Sequence, residues 1–329
     1  MAALSASVAL SLTGRFAQFG VQAERGLRLW ADEYGVDLTV LDDESNPAVL
    51  EARLPEVAAD AQLLFGPYST VLMRAAIPVA ESAGRLLFNH GGSGGNLDHP
   101  GLVVNVLTPA NRYADPFVSH LATTSGGPLF TTTGRGAFGR HIINGARNAA
   151  RAAGLCVEDF DPEQSLTGAW DLLSAGVYED DVATVRTAQA LDNPPRFLCS
   201  VAAGVAQFAD DVPDVEGVFG IGQWAPGAAM SVDAGMAGPA FLAAWRDRFG
   251  GVPDYPGVQA YAAGVIAATA AREAGSTDTE ALWRAAAELD MQTAFGRFRL
   301  DSETGEQVGH EAVLTQWRGG RQVAFPPGE

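Results

Sequence analysis

The chain has 329 residues, 47% of them hydrophobic and 18% charged, a composition that supports sizeable buried cores and shows no low-complexity block. Its 39 acidic residues face 21 basic ones, all arginine, and the net charge of -18 argues against nucleic acid as a partner, which needs clustered positive charge. A single core stops growing below this length, so two lobes are expected.

The first strand pattern covers 7–12, and Val21, Leu27, Trp30, Ala31 and Tyr34 then share one helical stripe that Gly35 closes. Strand patterns at 37–41, 62–65 and 86–89 alternate with a helix opened by Asn46 and Pro47 and another over 71–83. A second round starts at Pro128, with strands at 129–133, 155–157, 197–201 and 218–221 and helices at 138–153 and 182–191. Ala-rich helices follow at 241–249, 255–274 and 279–289, then strands at 295–300, 312–318 and 322–325 around Thr304-Gly305 and Gly319-Gly320 turns. Strand, loop and helix in alternation predict parallel sheets covered on both faces, in two similar α/β lobes. No apolar stretch is long enough to span a bilayer, and no secretory signal pattern precedes the first strand, so a trimmed mature protein or an intracellular one is expected. Cys156 and Cys199 each lie in an apolar run and read as small buried core residues, with a disulfide as the alternative.

Three loops share one design, an apolar run followed by small residues and then a helix start: 12–20, Gly66-Pro67-Tyr68-Ser69-Thr70 and Asn89-His90-Gly91-Gly92-Ser93-Gly94-Gly95. In open parallel sheets such loops gather at the carboxyl ends of strands, where ligands bind. The Ser69 hydroxyl at a helix start and backbone N–H groups through Gly91, Gly92 and Ser93 suit a carboxylate or amide oxygen. Phe19, Tyr68, Phe138, Trp224 and Tyr255 stand at loop or helix-start positions, where ligand contact competes with packing. Gly134-Arg135-Gly136-Ala137-Phe138-Gly139 is a formal GxGxxG with Glu158 and Asp159 downstream, which would make a dinucleotide-dependent enzyme a remote alternative. The glycine-rich loop at 91–95 lacks the lysine of a phosphate-binding P-loop, and the chain has no lysine. The five histidines lack metal-ligand spacing, and no GxSxG elbow is present, so neither a metal, a cofactor nor a catalytic residue is expected.

Taken together, LTGRFAQFGVQAERGLRLW at 12–30, LDDESNP at 41–47, the segment 63–88, GAFG at 136–139, QAYAAGVIAATAAREAGSTD at 259–278, QTAFGRF at 292–298 and TQWRGG at 315–320 resemble the type I periplasmic solute-binding proteins of ABC transporters, in the branched-chain amino-acid binding branch. The resemblance implies an α/β fold of two Rossmann-like lobes with a ligand cleft between them, three crossover strands and hinge closure. It makes the lobes discontinuous, 1–119 with 252–298 and 120–251 with 299–329. It implies that Phe19 covers the ligand, that Ser69 and Ser93 bind its carboxylate, that Gly91 makes a backbone contact and that Phe138 approaches from the second lobe. It also explains the GxGxxG match as an ordinary strand-to-helix turn. The departure is in lobe two, where loops 201–204, containing Ala203, and 222–225, containing Gln223 and Trp224, offer no carboxylate for a ligand ammonium group. A buried ammonium would there lack its charge partner, so an amide or carboxylic acid suits the loops better than a free α-amino acid, and Gln223 suits an amide or hydroxyl. The function implied is an extracytoplasmic receptor that hands its solute to a membrane permease, without inserting into the membrane itself. A cytoplasmic ligand sensor of the same fold, of the amide-sensing type, is the alternative if Met1 is native.

Overall fold

The computed structural model describes residues 4–124, 126–226 and 231–325. The chain divides into two compact units and passes between them three times. Unit one comprises Met1–Thr108 and Gly227–Glu311, unit two Pro109–Pro226 and Ala312–Glu329.

In the first segment of unit one, β1 (Ser5–Leu10), α1 (Ala17–Tyr34), β2 (Asp37–Asp42), α2 (Pro47–Ala58), β3 (Leu63–Phe65), α3 (Thr70–Ser82), β4 (Leu87–Asn89) and β5 (Val103–Asn105) follow one another. Unit two continues with α4 (Asp115–Thr123), β6 (Leu129–Thr133), α5 (Ala137–Ala152), β7 (Val157–Asp159), β8 (Asp171–Ala175), α6 (Tyr178–Gln189), β9 (Phe197–Ser200), α7 (Phe208–Asp211) and β10 (Phe219–Gly222). The chain returns to unit one for α8 (Gly238–Phe249), α9 (Tyr255–Ala274), α10 (Thr279–Glu288) and the hairpin β11 (Asp290–Gln292) and β12 (Arg297–Arg299). It ends in unit two with β13 (Val313–Arg318) and β14 (Arg321–Ala324).

The sheet of unit one is parallel, in the order β2-β1-β3-β4-β5. Side chains alternate between its faces as the pleat requires. Leu64 and Leu87 pack with Leu50, Leu54, Leu72 and Ile77 beneath α2 and α3. Phe65, one residue on, meets the edge of Trp30 of α1 at 5.2 Å on the other face. There α1 and α9 cross at van der Waals range because both present glycine: a Cβ on Gly26 would stand 2.0 Å from the Gly257 carbonyl oxygen. One on Gly264 would stand 2.3 Å from the Trp30 ring.

The sheet of unit two runs β14-β13-β10-β9-β8-β6-β7, with β13 and β14 antiparallel and the remaining strands parallel. Alternation again divides the core. Leu129, Leu173, Cys199 and Phe219 face α4 and α5 with Phe117, Ile142 and Ile143. Phe130, Leu172, Leu198 and Trp170 face α6 and α7 with Val185, Phe208 and Trp317.

Several expectations are corrected. The unit boundaries fall at 108, 226 and 311 rather than 119, 251 and 298. Phe117 of α4 belongs to the core of unit two. Helix α8 belongs to unit one, where a Cβ on Gly257 of α9 would collide with the Trp245 ring. Segment 299–311 stays in unit one because Gln307 donates to the Val106 carbonyl at 3.2 Å and the Thr108 hydroxyl lies 2.6 Å from His310 Nδ1. The passages at 108–109 and 311–312 are irregular backbone rather than strands, tied by these side-chain bonds instead of a ladder. Strands β5 and β8 and helix α4 were absent from the sequence pattern, and the strand expected at 295–300 is only the second arm of the β11–β12 hairpin. Both cysteines are free thiols, Cys199 buried but Cys156 exposed, since it leads into β7 at the edge of the sheet.

The α1–α9 crossing yields a first prediction. Gly26→Ala forces two backbones apart and should destabilise unit one by about 3 kcal/mol, the upper range for overpacking, read as a lowered urea midpoint with unchanged folded-state circular dichroism.

Candidate functional site

In unit one the loops after β1, β2, β3 and β4 are fixed by polar side chains at the strand ends. Asp42 accepts from the N–H groups of Leu12, Thr13 and Glu44 and from the Thr13 hydroxyl. Burial pushes its carboxyl up, yet the bonds from Glu44, Thr13 and Leu12 together hold it below the ordinary value. Buried Asp43 accepts from the Ser11 hydroxyl at 2.6 Å and the Ser45 N–H at 2.8 Å, and the Ser45 hydroxyl bonds the Thr13 carbonyl and the Phe16 N–H. This clamp sets the start of α1 and the place of Phe19, whose ring stacks on Tyr68 at 4.6 Å and 10°.

Tyr68, Ser69 and Gly91 come together. Ser69 N–H donates to the Gly91 carbonyl at 3.1 Å, and a Cβ on Gly91 would stand 2.5 Å from Tyr68 Cα, so only glycine permits the approach. The Tyr68 hydroxyl lies 2.5 Å from that of Tyr255, at the first turn of α9. Ser69 caps α3 with its side chain accepting from Leu72 N–H at 3.4 Å. Its φ of 95° and ψ of 146° lie in a region that side chains rarely adopt, a strain that clusters at functional sites.

The glycine-rich loop is used differently from the expectation. Gly91 and Gly92 N–H both donate to Asn89 Oδ1, at 3.1 and 2.8 Å, and Gly94 N–H donates to the Thr70 hydroxyl. Asn89 Nδ2 bonds the Gly92 carbonyl and Asn105 Oδ1, both at 2.7 Å. The Gly91 and Gly92 N–H groups expected to serve a ligand are therefore taken by Asn89. Sequence reasoning passed over Asn89 and Asn105; a buried asparagine ending each of two apolar strands was the available signal. His90 is wholly buried, and burial holds its imidazole down at about 4, with the Gly66 and His90 backbone opposing the shift.

In unit two, Phe138 lies on the first turn of α5, edge-on to Tyr113 at 5.7 Å. Ala203 is completely buried, and its carbonyl accepts from Trp317 Nε1 and Gln322 Nε2, both at 2.9 Å, so it packs the core and has no oxygen to offer. Gln223 and Trp224 follow β10 and are buried. The GxGxxG spacing has a packing cause. A Cβ on Gly134 would stand 2.6 Å from Asp180, one on Gly139 2.3 Å from the Ala175 carbonyl, and Arg135 binds Asp180 through its N–H and guanidinium. The turn after β6 is thus pressed onto the turn after β8, and its donors serve Asp180 rather than a pyrophosphate. Buried Asp181 accepts from the Ser174 hydroxyl at 2.7 Å and Ala202 N–H at 3.1 Å, joining the ends of β8 and β9. Burial raises its carboxyl to about 6 against these bonds. Among the described residues no group of three His, Cys, Asp or Glu could hold a metal, and no helix is long and apolar enough to cross a membrane.

A family model for periplasmic binding proteins matches residues 6–322, and the chain belongs to that family. Solved structures share the two-lobed α/β fold at low identity. A leucine-binding protein, LivK, from Thermotoga maritima aligns at a TM-score of 0.82 with 17% identity, covering 98% of each chain. An ABC transporter substrate-binding protein from Desulfitobacterium hafniense in complex with Leu gives 0.81 and 17%, covering 98% of this chain and 99% of that one. LivJ from Streptococcus pneumoniae, a branched-chain amino-acid substrate-binding protein in complex with isoleucine, gives 0.79 and 15%, covering 98% of each. No curated protein matches this chain. The family and these neighbours are substrate-binding proteins, not enzymes, and the dinucleotide reading of Gly134–Gly139 is set aside.

The polar residues at these loops yield three predictions. Ser69→Gly keeps a tolerable cap and relieves the backbone, so it should raise stability by about 1 kcal/mol, whereas Ser69→Ala keeps the strain, loses the cap and should lower stability by about 1 kcal/mol in urea unfolding. For Asp181 the folded pKa is raised, so the protein loses about 3 kcal/mol as pH rises from 3.8 through 6, and Asp181→Asn removes that loss. For His90 the folded pKa is lowered, so a similar amount, about 3 kcal/mol, is lost as pH falls from 6.5 through 4, and His90→Asn removes it. Urea midpoints across this range check both signs.

Proposed function

We propose that the chain is the solute-binding receptor of an ABC importer, working outside the cytoplasm and passing a small carboxylic acid, amide or amino-acid-like ligand to a membrane permease. The observation that carries the reading is the strained Ser69 cap, joined to the Gly91 loop and heading α3. A helix N-terminus holds positive dipole charge, and a hydroxyl beside it gives a ligand oxygen a donor without lysine or arginine. Phe19, Tyr68 and Tyr255 supply aromatic faces next to it, and Ser93 a second hydroxyl. We assign Phe138, Gln223 and Trp224 to ligand contact from unit two, on the resemblance and their loop positions.

The solved neighbours in complex with leucine or isoleucine hold a ligand with an ammonium group. In this chain the segments 201–204 and 222–225 carry no acid, and every residue assigned to the site is uncharged. An ammonium taken out of water without a partner costs several kcal/mol, so the reading favours ligands that lack one.

A thermal-shift screen tests it with leucine, isocaproate, isocaproamide and NAD. Ligand at a hundred times its dissociation constant adds about 2.7 kcal/mol, which raises the midpoint by several degrees. Isocaproate or its amide should shift the midpoint more than leucine does. A shift with NAD alone would sink the receptor reading, and a larger shift with leucine would sink the ammonium-free preference.

A further inference from the structure

Resting on the receptor reading, we propose that Tyr68 and Tyr255 determine specificity by selecting a ligand whose tail ends in a hydroxyl or primary amide over one with a branched aliphatic tail. Tyr68 immediately precedes Ser69, so its phenol springs from the loop that offers the anion donor. Its ring is held by the stack on Phe19 at 4.6 Å, and its hydroxyl is 2.5 Å from the Tyr255 hydroxyl, 187 residues along the chain. Burial pushes the Tyr255 phenol well above its ordinary value, with neighbouring Tyr68 adding to the shift. The Tyr255 phenol therefore stays neutral, and the two hydroxyls present hydrogen-bonding capacity.

A second observation points the same way. Gln259 is one turn beyond Tyr255 on α9, and i and i+4 share a helix face. It is completely buried, and among the described residues neither its amide oxygen nor its amide nitrogen has a hydrogen-bond partner. The rest of α9 is built largely of Ala, Gly, Val and Ile, so a glutamine amide there is not demanded by packing. Against an aliphatic tail the buried Gln259 amide stays unpaired, whereas a hydroxyl or amide tail pairs with it, and sites built this way reject the analogue lacking the polar group.

The test uses titration calorimetry on the full chain with two matched pairs of acids, hydroxyphenylpropanoate against phenylpropanoate and glutaramate against isocaproate. The wild type should prefer at least one polar probe by about tenfold or more over its apolar mate. Tyr255→Phe and Tyr68→Phe keep the rings, and each should cut that preference to about twofold by weakening the polar probe alone, with ligand-free melting within a few degrees of wild type. Gln259→Met, similar in volume, should do the same if the face acts as a unit. Equal affinity within both pairs for the wild type, or an equal weakening of all probes in the Tyr→Phe variants, overturns the proposal while the receptor reading stands. If the wild type binds none of the four probes and no leucine, the receptor reading fails and the specificity proposal falls with it.

Discussion

Parallel sheets buried on both faces end in loops whose N–H groups must be satisfied away from water, and this requirement governs both units. Several strand ends meet it with a short polar side chain. Asp42 and Asp43 hold the loops after β1 and β2, Asn89 the loop after β4, and Asp180 and Asp181 the turns after β6, β8 and β9. An orphaned buried donor costs about 1 to 3 kcal/mol, so these residues are structural before they are anything else.

Glycine is the counterpart of that network. Where a polar side chain pulls one loop onto another, the approaching backbone has no room for a Cβ, as at Gly91 over Tyr68 and at Gly134 and Gly139 against the turn after β8. The same logic governs the helix layer of unit one, where Gly26 and Gly257 let α1 and α9 meet. Glycine spacing that imitates a nucleotide fingerprint therefore arises from packing alone. Only the partner of each N–H distinguishes the two, and at Arg135 that partner is Asp180.

What is left over after the loops are satisfied defines the chemistry. Ser69 retains a hydroxyl at the head of α3, held in a backbone conformation that serine adopts at a cost. Around it stand rings and neutral hydroxyls. The recognition we propose for this surface therefore works by hydrogen bonds and shape, with ligand charge left to the terminus of α3.

The strand and helix periodicities of unit one and the three loops at its strand ends were legible in the sequence, because apolar alternation and small-residue punctuation are local properties. The resemblance carried over the two-lobed fold, and the ligand roles of Phe19 and Ser69 rest on it as proposals. Short strands such as β5 and β8 were not legible, since a buried run of three to five residues carries too little periodicity to stand out. The sequence by itself determined the fold class, the acidic surface and the absence of any lysine. Only the tertiary structure decided that Asn89 takes the Gly91 and Gly92 N–H groups, that Ala203 is core, and that Tyr68 meets Tyr255. Those outcomes depend on contacts between residues distant in the chain, and local pattern holds no information about which distant group arrives to satisfy a donor.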